Sequence, residues 1–342
     1  MLIFYTIFFL FLHFHNTHPA FTKFPLSLFG YPLACPLGIA ACPLMTSAGI
    51  AATAQRGYAV FTYKTIRTSF CPIFSPVLYH VNIDHQLTPD DIGKKYTVNG
   101  PVSIHDNSSI IAVTNSFGIN SQNHAETIQD IAQARAALSE EQILIVSIYG
   151  SGKNEQEQIA DFVHAAHIAY QGGAQVIEAN FSCPNLGQKK MAYQNPDLVY
   201  TICHAIHTAI PLPLIIKVGV FENRADLAAI IRAAYNGGAR GMCGINTISI
   251  QAVDDTGNPI FGSQRQFSGL SGDPLRTLAL QFVHDARSII DETHLDFVLF
   301  ATGGVTKPEH FDLFFAAGAD IVLSATGAMR NSSLADNWHA AH

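Results

Sequence analysis

The chain contains 342 residues, of which 48% are hydrophobic and only 13% are charged. The formal net charge is −7, so the chain has no broad basic field for a phosphate backbone, which argues against nucleic-acid binding. The composition also excludes collagen-like, disordered and disulfide-scaffold proteins. The length fits one large barrel or two domains of ordinary size.

The six cysteines do not form any Cys-x-x-Cys pair, which makes a structural zinc site improbable. The histidine pairs at helical spacing, such as His164 with His167, lack an evident third ligand, so we expect no metal. Six thiols in a chain of this length indicate a reducing compartment, and we expect a cytoplasmic protein.

The first dozen residues are almost wholly apolar. They are too few for a membrane-spanning helix, which needs about 20 residues, and no basic residue precedes them as in a secretory signal. The favoured interpretation is an unstructured extension, residues 1–30, ahead of a single domain, residues 31–342. The alternative is peripheral membrane association through residues 1–14.

From residue 31 onward, short apolar runs alternate with helical stretches, and continuous apolar runs are typical of strands buried on both faces. The predicted strands are Leu37–Ala41, Tyr58–Lys64, Ile143–Ile148, Gln175–Asn180, Pro213–Val218, Gly241–Asn246, Phe297–Thr302 and Asp320–Ser324. The clearest predicted helices are Glu155–Tyr170, Ala225–Tyr235 and Pro274–Ile289.

Eight strand–helix units without a Gly-x-Gly-x-x-Gly turn predict an α/β fold, a (β/α)₈ TIM barrel in one domain. Residues 70–135, between the second and third strands, show no clean repeat unit. We expect them to form a long insertion over the top of the barrel.

Polar residues follow the predicted strands at the end where such barrels place their chemistry. Thr302-Gly303-Gly304 and Ala325-Thr326-Gly327 are typical of loops that hold a phosphate through backbone N–H groups. Lys217 ends an apolar strand, and a buried lysine needs either a polarised oxygen, such as a flavin offers, or a structural carboxylate.

The loop after the fourth strand reads Asn180-Phe-Ser-Cys183-Pro-Asn185. Asparagine offers donors and an acceptor that suit the imide edges of a ligand. A cysteine between two asparagines could act as a nucleophile or a proton acceptor, although a free cysteine is more often a small core residue. Asn115 begins a second loop of this kind, Asn-Ser-Phe-Gly-Ile, inside the insertion.

Together these motifs resemble the dihydroorotate dehydrogenases, flavin enzymes of pyrimidine biosynthesis, over roughly residues 31–330. Seven motifs occur in the family's order: Tyr63-Lys64-Thr65, Asn115-Ser-Phe-Gly-Ile119, Asn180-Phe-Ser-Cys-Pro-Asn185, Lys217, Asn246-Thr247, Ala301-Thr-Gly-Gly304 and Ala325-Thr326-Gly327. The resemblance implies FMN-dependent oxidation of dihydroorotate to orotate, with Cys183 as the base and flavin N5 as hydride acceptor. Cysteine at this position is typical of the family's soluble class, whereas the membrane-bound class has serine.

The resemblance also implies binding roles. The substrate would be bound by Lys64, Asn115, Phe117, Gly118, Ile119, Asn180, Asn185, Asn246 and Thr247. FMN would be bound by Ala40, Ala41, Lys64, Thr65, Ser147, Asn180, Lys217, Gly269, Gly272, Thr302, Gly303, Gly304, Ala325 and Thr326. A homodimer is implied, and use of NAD would require a partner subunit with FAD and an iron–sulfur cluster. The resemblance leaves fumarate, NAD or a quinone as the electron acceptor.

Several positions depart from the family's pattern. Its Lys-x-Pro-Pro becomes Lys217-Val-Gly-Val, and the serine of its first strand end is Ala41. The segment 246–272 also resembles the FMN barrel of dihydropyrimidine dehydrogenase, although the cysteine which that enzyme has after its third strand is absent here. The alternatives are therefore an oxidoreductase of another dihydropyrimidine, such as dihydrouracil, and an inactive FMN-binding paralogue. A tRNA dihydrouridine synthase is disfavoured by the negative net charge and by Ser182.

Overall fold

The computed structural model describes residues 26–75, 77–102, 110–182 and 191–342. The strands are β1 Leu26–Leu28, β2 Tyr31–Leu33, β3 Leu37–Ile39, β4 Val60–Ile66, β5 Tyr79–Val81, β6 Lys95–Pro101, β7 Ala112–Asn115, β8 Ile143–Ile148, β9 Val176–Asn180, β10 Leu214–Lys217, β11 Gly241–Gly244, β12 Ile248–Val253, β13 Ser268–Gly272, β14 Val298–Thr302 and β15 Ile321–Ser324. The helices are α1 Ser47–Thr53, α2 His124–Ala136, α3 Glu155–Gln171, α4 Pro196–Ala209, α5 Arg224–Asn236, α6 Arg276–Thr293, α7 Pro308–Ala316, α8 Thr326–Arg330 and α9 Leu334–His339.

Eight parallel strands close into a barrel in the order β3-β4-β8-β9-β10-β11-β14-β15, with β15 paired to β3. This confirms the predicted (β/α)₈ barrel. Every residue of β4, β8 and β9 is buried, because side chains on one face fill the barrel and those on the other face pack under the helices. This two-sided burial explains why the strands appear in the sequence as continuous apolar runs.

Each of the eight predicted barrel strands overlaps an observed strand, and the helix predicted from Glu155 is observed as α3. The start of a helix is determined locally where an asparagine side chain accepts a hydrogen bond from a free backbone N–H group of the first turn. Asn123, Asn154, Asn195 and Asn223 cap α2, α3, α4 and α5 in this way.

The segment between β4 and β8 differs in part from the prediction. Residues 124–136, expected to lie within an irregular insertion, form α2, the helix that precedes β8. Its apolar pattern is weak, because only Thr127, Ile131 and Ala134 of this helix are buried, and the periodic signal in these residues is correspondingly small.

The rest of this segment contributes β5, β6 and β7 to a second, smaller closed sheet. The sheet is completed by β12 and β13, which follow β11 in the chain. Pairing of β7 with β13 places Asn115 opposite Gly269. The two segments that follow β4 and β11 are thereby joined beside the open end of the barrel.

The antiparallel pair β1–β2 spans residue 30, where the N-terminal extension was predicted to end. The apolar residues 1–14 lie outside the described residues. Within the described ranges, the helices are all too short or too polar to cross a membrane.

Candidate active site

A cavity of about 1080 Å³, including the space at its mouth, lies at the carboxyl ends of the barrel strands. Polar groups from six of these strands and from the second sheet reach it, so it combines chemistry from segments far apart in the chain. Its lining includes the predicted residues Ala40, Ala41, Lys64, Thr65, Asn115, Gly118, Ile119, Asn180, Lys217, Asn246, Thr247, Gly269, Gly272, Thr302, Gly303, Gly304, Ala325 and Thr326.

Two other predicted residues, Phe117 and Ser147, do not line this cavity. Phe117 is buried within the loop that begins at Asn115. Ser147 is buried beside Thr65, and the hydroxyl oxygens of these two residues lie 2.9 Å apart. Ser147 therefore supports a lining residue. Cys183 and Asn185 lie outside the described residues.

Lys64 places a buried ammonium group at the cavity wall. The side chain leaves β4 near its end, and Nζ donates a hydrogen bond to the carbonyl oxygen of Gly118, 3.1 Å away. In the described part of the chain, no carboxylate forms an ion pair with Lys64. Its observed partner among the described residues is a neutral carbonyl, and a buried cation favours an anionic partner.

Lys217, at the end of β10, is a second buried cation, and its setting is different. Its Nζ lies 3.9 Å from Oε2 of Glu178 and 3.3 Å from Sγ of Cys243. Burial by itself lowers the pKa of Lys217, but the neighbouring Cys243 and Glu178 outweigh burial and raise it. Lys217 thus has a structural carboxylate beside it and also lines the cavity, so the sequence alternatives for this lysine are not mutually exclusive.

Four amide and hydroxyl side chains at the ends of β4, β9 and β11 form a connected network. Asn246 Nδ2 donates to the carbonyl oxygen of Ser182 at 3.1 Å and to its Oγ at 2.9 Å. Asn180 Nδ2 donates to Oγ1 of Thr65 at 3.2 Å. These contacts fix the amide planes of Asn180 and Asn246 at the cavity wall.

Glycine-containing segments at the end of β13 and after β14 form the wall where a phosphate group was predicted to bind. Gly272 has φ +108°, and a Cβ there would lie 1.8 Å from the carbonyl oxygen of Ile111. Gly304 has φ +81°, and its Cβ would lie 2.7 Å from the side chain of Arg276. Side chains are therefore excluded on both segments, and the backbone itself faces the cavity.

Asp273 braces this wall from behind. Its Oδ2 accepts from the backbone N–H of Ile111 at 2.7 Å, and its Oδ1 accepts from Arg276 at 2.7 Å and from the hydroxyl of Thr306. Arg276 also donates to the carbonyl oxygen of Gly304 at 3.2 Å. One buried carboxylate thereby ties together the segment before β7, the start of α6 and the loop after β14.

Sequence reasoning missed two cavity residues with reactive or charged side chains, Glu178 and Cys42. Glu178 interrupts the apolar strand Val176–Asn180, the same signal that identified Lys217. Cys42 follows the first barrel strand closely, at the carboxyl end where other polar residues were sought. Burial raises the pKa of the Cys42 thiol, while the charges of Lys64 and Lys217 act to lower it.

Comparison with known proteins matches this chain to one family. A family model described as dihydroorotate dehydrogenase matches residues 98–336. The dihydroorotate dehydrogenase of Dictyostelium discoideum is 37% identical over 324 residues, which cover 92% of this chain and 87% of that protein.

More distant relatives match a smaller part of the chain. The NAD-dependent dihydropyrimidine dehydrogenase subunit PreA of Escherichia coli is 33% identical over 200 residues, 56% of this chain and 46% of that subunit. The catalytic subunit of dihydroorotate dehydrogenase B (NAD⁺) from Methanocaldococcus jannaschii is 28% identical over 230 residues, 65% of this chain and 70% of that subunit. A crystal structure of the Eimeria tenella dihydroorotate dehydrogenase with ferulenol has a TM-score of 0.64 at 17% identity, covers 90% of this chain and 80% of that one, and supports the fold.

Proposed function

Because this chain belongs to the dihydroorotate dehydrogenase family, we propose that it oxidises dihydroorotate to orotate, with FMN as cofactor, in de novo pyrimidine biosynthesis. The observation that carries the choice of substrate is the buried ammonium of Lys64 at the cavity wall. Dihydroorotate has a carboxylate, whereas dihydrouracil has none. Of these two substrates, dihydroorotate alone would give the buried ammonium of Lys64, which forms no ion pair with a described carboxylate, an anionic partner.

The cavity residues fit a flavin nucleotide. Gly272, Gly303 and Gly304 line one wall, where N–H groups without intervening side chains can hold a phosphate. Lys217 would supply a buried cation at the cavity wall to compensate the negative charge that a flavin gathers at N1 and O2 on reduction. When bound, FMN would supply the hydride acceptor, and the protein would supply binding and orientation.

Asn115, Asn180, Asn185 and Asn246 would read the imide edges of the dihydropyrimidine through paired donors and acceptors. In support, the network that joins Asn246 to Ser182 and Asn180 to Thr65 holds two of these amides before the substrate arrives. Such preorganisation reduces the ordering that binding would otherwise require.

Cys183 would accept the proton from C5 of the substrate, on the face away from the flavin. In support, Asn246 donates two hydrogen bonds that fix the position of Ser182, the residue directly before Cys183. A base held on one face of a flat ring can act together with a hydride acceptor on the other face.

The decisive experiment is anaerobic reduction of the purified protein with dihydroorotate. We expect the protein to be yellow and to bleach with dihydroorotate but not with dihydrouracil. The Cys183→Ala variant should remain yellow and bleach far more slowly than wild type. A yellow protein that neither compound bleaches would instead identify an inactive FMN-binding paralogue.

Oxidoreduction of another dihydropyrimidine is the second candidate. It is favoured by the 33% identity to PreA over 200 residues. Bleaching by dihydrouracil alone would establish this second function and exclude the first.

The proposal extends to the protein's state in the cell. We expect a cytoplasmic homodimer, and the described cysteines, which are free thiols, are consistent with a reducing compartment. Sedimentation of the purified protein tests the dimer. Oxidation of the reduced protein by fumarate, by a quinone, or by NAD together with an FAD and iron–sulfur partner subunit would identify the electron acceptor.

A further inference from the structure

Glu178 and Lys217 form an ion pair at the bottom of the candidate site that is buried but loose. Their charged atoms, Oε2 and Nζ, lie 3.9 Å apart, and their side chains are 0% and 5% exposed. This distance is too long for a hydrogen bond, whose N···O separation is about 2.7–3.2 Å. The carboxylate therefore attracts the ammonium without taking up its N–H donors.

The carboxylate of Glu178 depends on a nearby cation. Neither of its oxygens accepts a hydrogen bond of normal geometry within the described ranges, although the neutral thiol of Cys243 interacts with it, and the side chain is fully buried. A buried carboxylate with so few donors is strongly destabilising unless a counter-charge lies close. In this part of the molecule, Lys217 is the cation within ion-pair distance.

The positive charge of Lys217 depends in turn on Glu178. The titratable groups that face Lys217 are Glu178 on β9, Cys243 on β11 and Cys42 after β3. Burial raises the pKa of Cys243 to about 12 and also raises that of Cys42, so both thiols are neutral at pH 7. Glu178 is then the anion that can keep the buried lysine charged.

We propose that Glu178 is a positioning residue, whose carboxylate keeps Lys217 protonated and holds its ammonium at the cavity wall, with the N–H donors that Cys243 does not use free for a bound ligand. The carboxylate acts through the lysine and does not itself bind the ligand. That the ligand is the flavin rests on the proposed function, whereas the ionisation of Lys217 does not.

The first test measures the ionisation of Lys217 in the flavin-free protein. The ¹³Cε signal of Lys217 in lysine-labelled protein, assigned by its loss in Lys217→Met, is followed against pH in wild type, Glu178→Gln and Glu140→Gln. We expect Glu178→Gln to lower the pKa of Lys217 by one unit or more, a tenfold change in its protonation equilibrium. The exposed Glu140 serves as a control and should have no effect. An unchanged Lys217 titration in Glu178→Gln would overturn the proposal.

A folding comparison covers the case in which Glu178→Gln does not accumulate. Removing one member of a buried pair leaves a lone charge, whereas removing both can be nearly neutral. We therefore expect the double variant Glu178→Gln/Lys217→Met to fold and to melt at a higher temperature than Glu178→Gln. If Lys217→Met folds and the double variant does not, Glu178 acts independently of the lysine and the proposal fails.

Cofactor affinity provides the third readout. We expect Glu178→Gln to weaken FMN binding about tenfold in the wild-type background and by less than twofold in the Lys217→Met background. Equal losses in both backgrounds would contradict action through Lys217. If even the wild-type protein binds no FMN, the proposed function fails, while the titration of Lys217 still decides the role of Glu178.

Discussion

The ammonium of Lys64 donates a hydrogen bond across 3.1 Å to the carbonyl oxygen of Gly118, although 54 residues separate them in the chain. The contact joins strand β4 of the barrel to the loop that follows β7 of the second sheet. It closes one side of the cavity and leaves the lysine's charge available to a ligand.

Replacing Lys64 tests the charge at this wall. We expect Lys64→Gln to lower kcat/KM for dihydroorotate by about 10–100-fold, because a charge-assisted hydrogen bond contributes about 1.5–3 kcal/mol. Lys95→Gln removes an exposed lysine on β6 and should leave kcat/KM unchanged. An undiminished kcat/KM in Lys64→Gln would remove the main support for an anionic substrate.

Matched substitutions distinguish the proposed base, Cys183, from the cavity thiol of Cys42. We expect Cys183→Ala to slow anaerobic reduction by dihydroorotate about 10²–10⁴-fold, the range for loss of a general base. Cys42→Ala, at the cavity wall, should slow it less than tenfold. Stopped-flow absorbance measures both rates, and the reverse order of effects would assign the base to Cys42.

Alanine substitutions at Gly272 and Gly257 distinguish the cost of backbone strain from the cost of steric overlap. Both have positive φ, but a Cβ at Gly272 meets the Ile111 carbonyl oxygen at 1.8 Å, whereas a Cβ at Gly257 has no atom within 4 Å. We expect Gly257→Ala to reduce the free energy of unfolding by about 1 kcal/mol and Gly272→Ala by more than about 3 kcal/mol. Denaturant titration measures both, and similar losses would show that the close approach to Ile111 does not matter.

His310, beside the cavity wall that Asp273 supports, makes the free energy of unfolding depend on pH. Its Nδ1 accepts hydrogen bonds from the backbone N–H groups of Thr306 at 3.1 Å and Lys307 at 3.2 Å. Burial first, and then the charge of Arg276, lower the pKa of His310, while Asp273 and Glu309 oppose this effect. The folded state therefore binds a proton at His310 less readily than the unfolded state does.

It follows that the stability contributed by neutral His310 is fully present above its unfolded pKa of about 6.5 and is lost as the pH falls below that value. Asparagine places an acceptor near the Nδ1 position but cannot be protonated in this range. We expect wild type to lose more melting temperature than His310→Asn between pH 7.5 and pH 5, by about 2 °C or more. Equal losses would show that His310 does not contribute to the acid sensitivity.

The sequence by itself determined the barrel and most of the candidate site. Each barrel strand is a continuous apolar run because both of its faces are buried, and Lys217 and Asn180 stand out as polar groups where those runs end. A buried strand and its end each involve only a few consecutive residues, so the types of those residues indicate both. The helix α2 escaped prediction because few of its residues are buried.

Only the tertiary structure decided which of these groups face one another. Whether Lys64 has a carboxylate partner, and whether Glu178 reaches Lys217, depends on how the strands close and on the second sheet that pairs β7 with β13. These contacts join segments far apart in the chain, and a local apolar pattern is compatible with many such pairings. The buried charge balance of the cavity, on which the choice of substrate depends, therefore exists only in the folded chain.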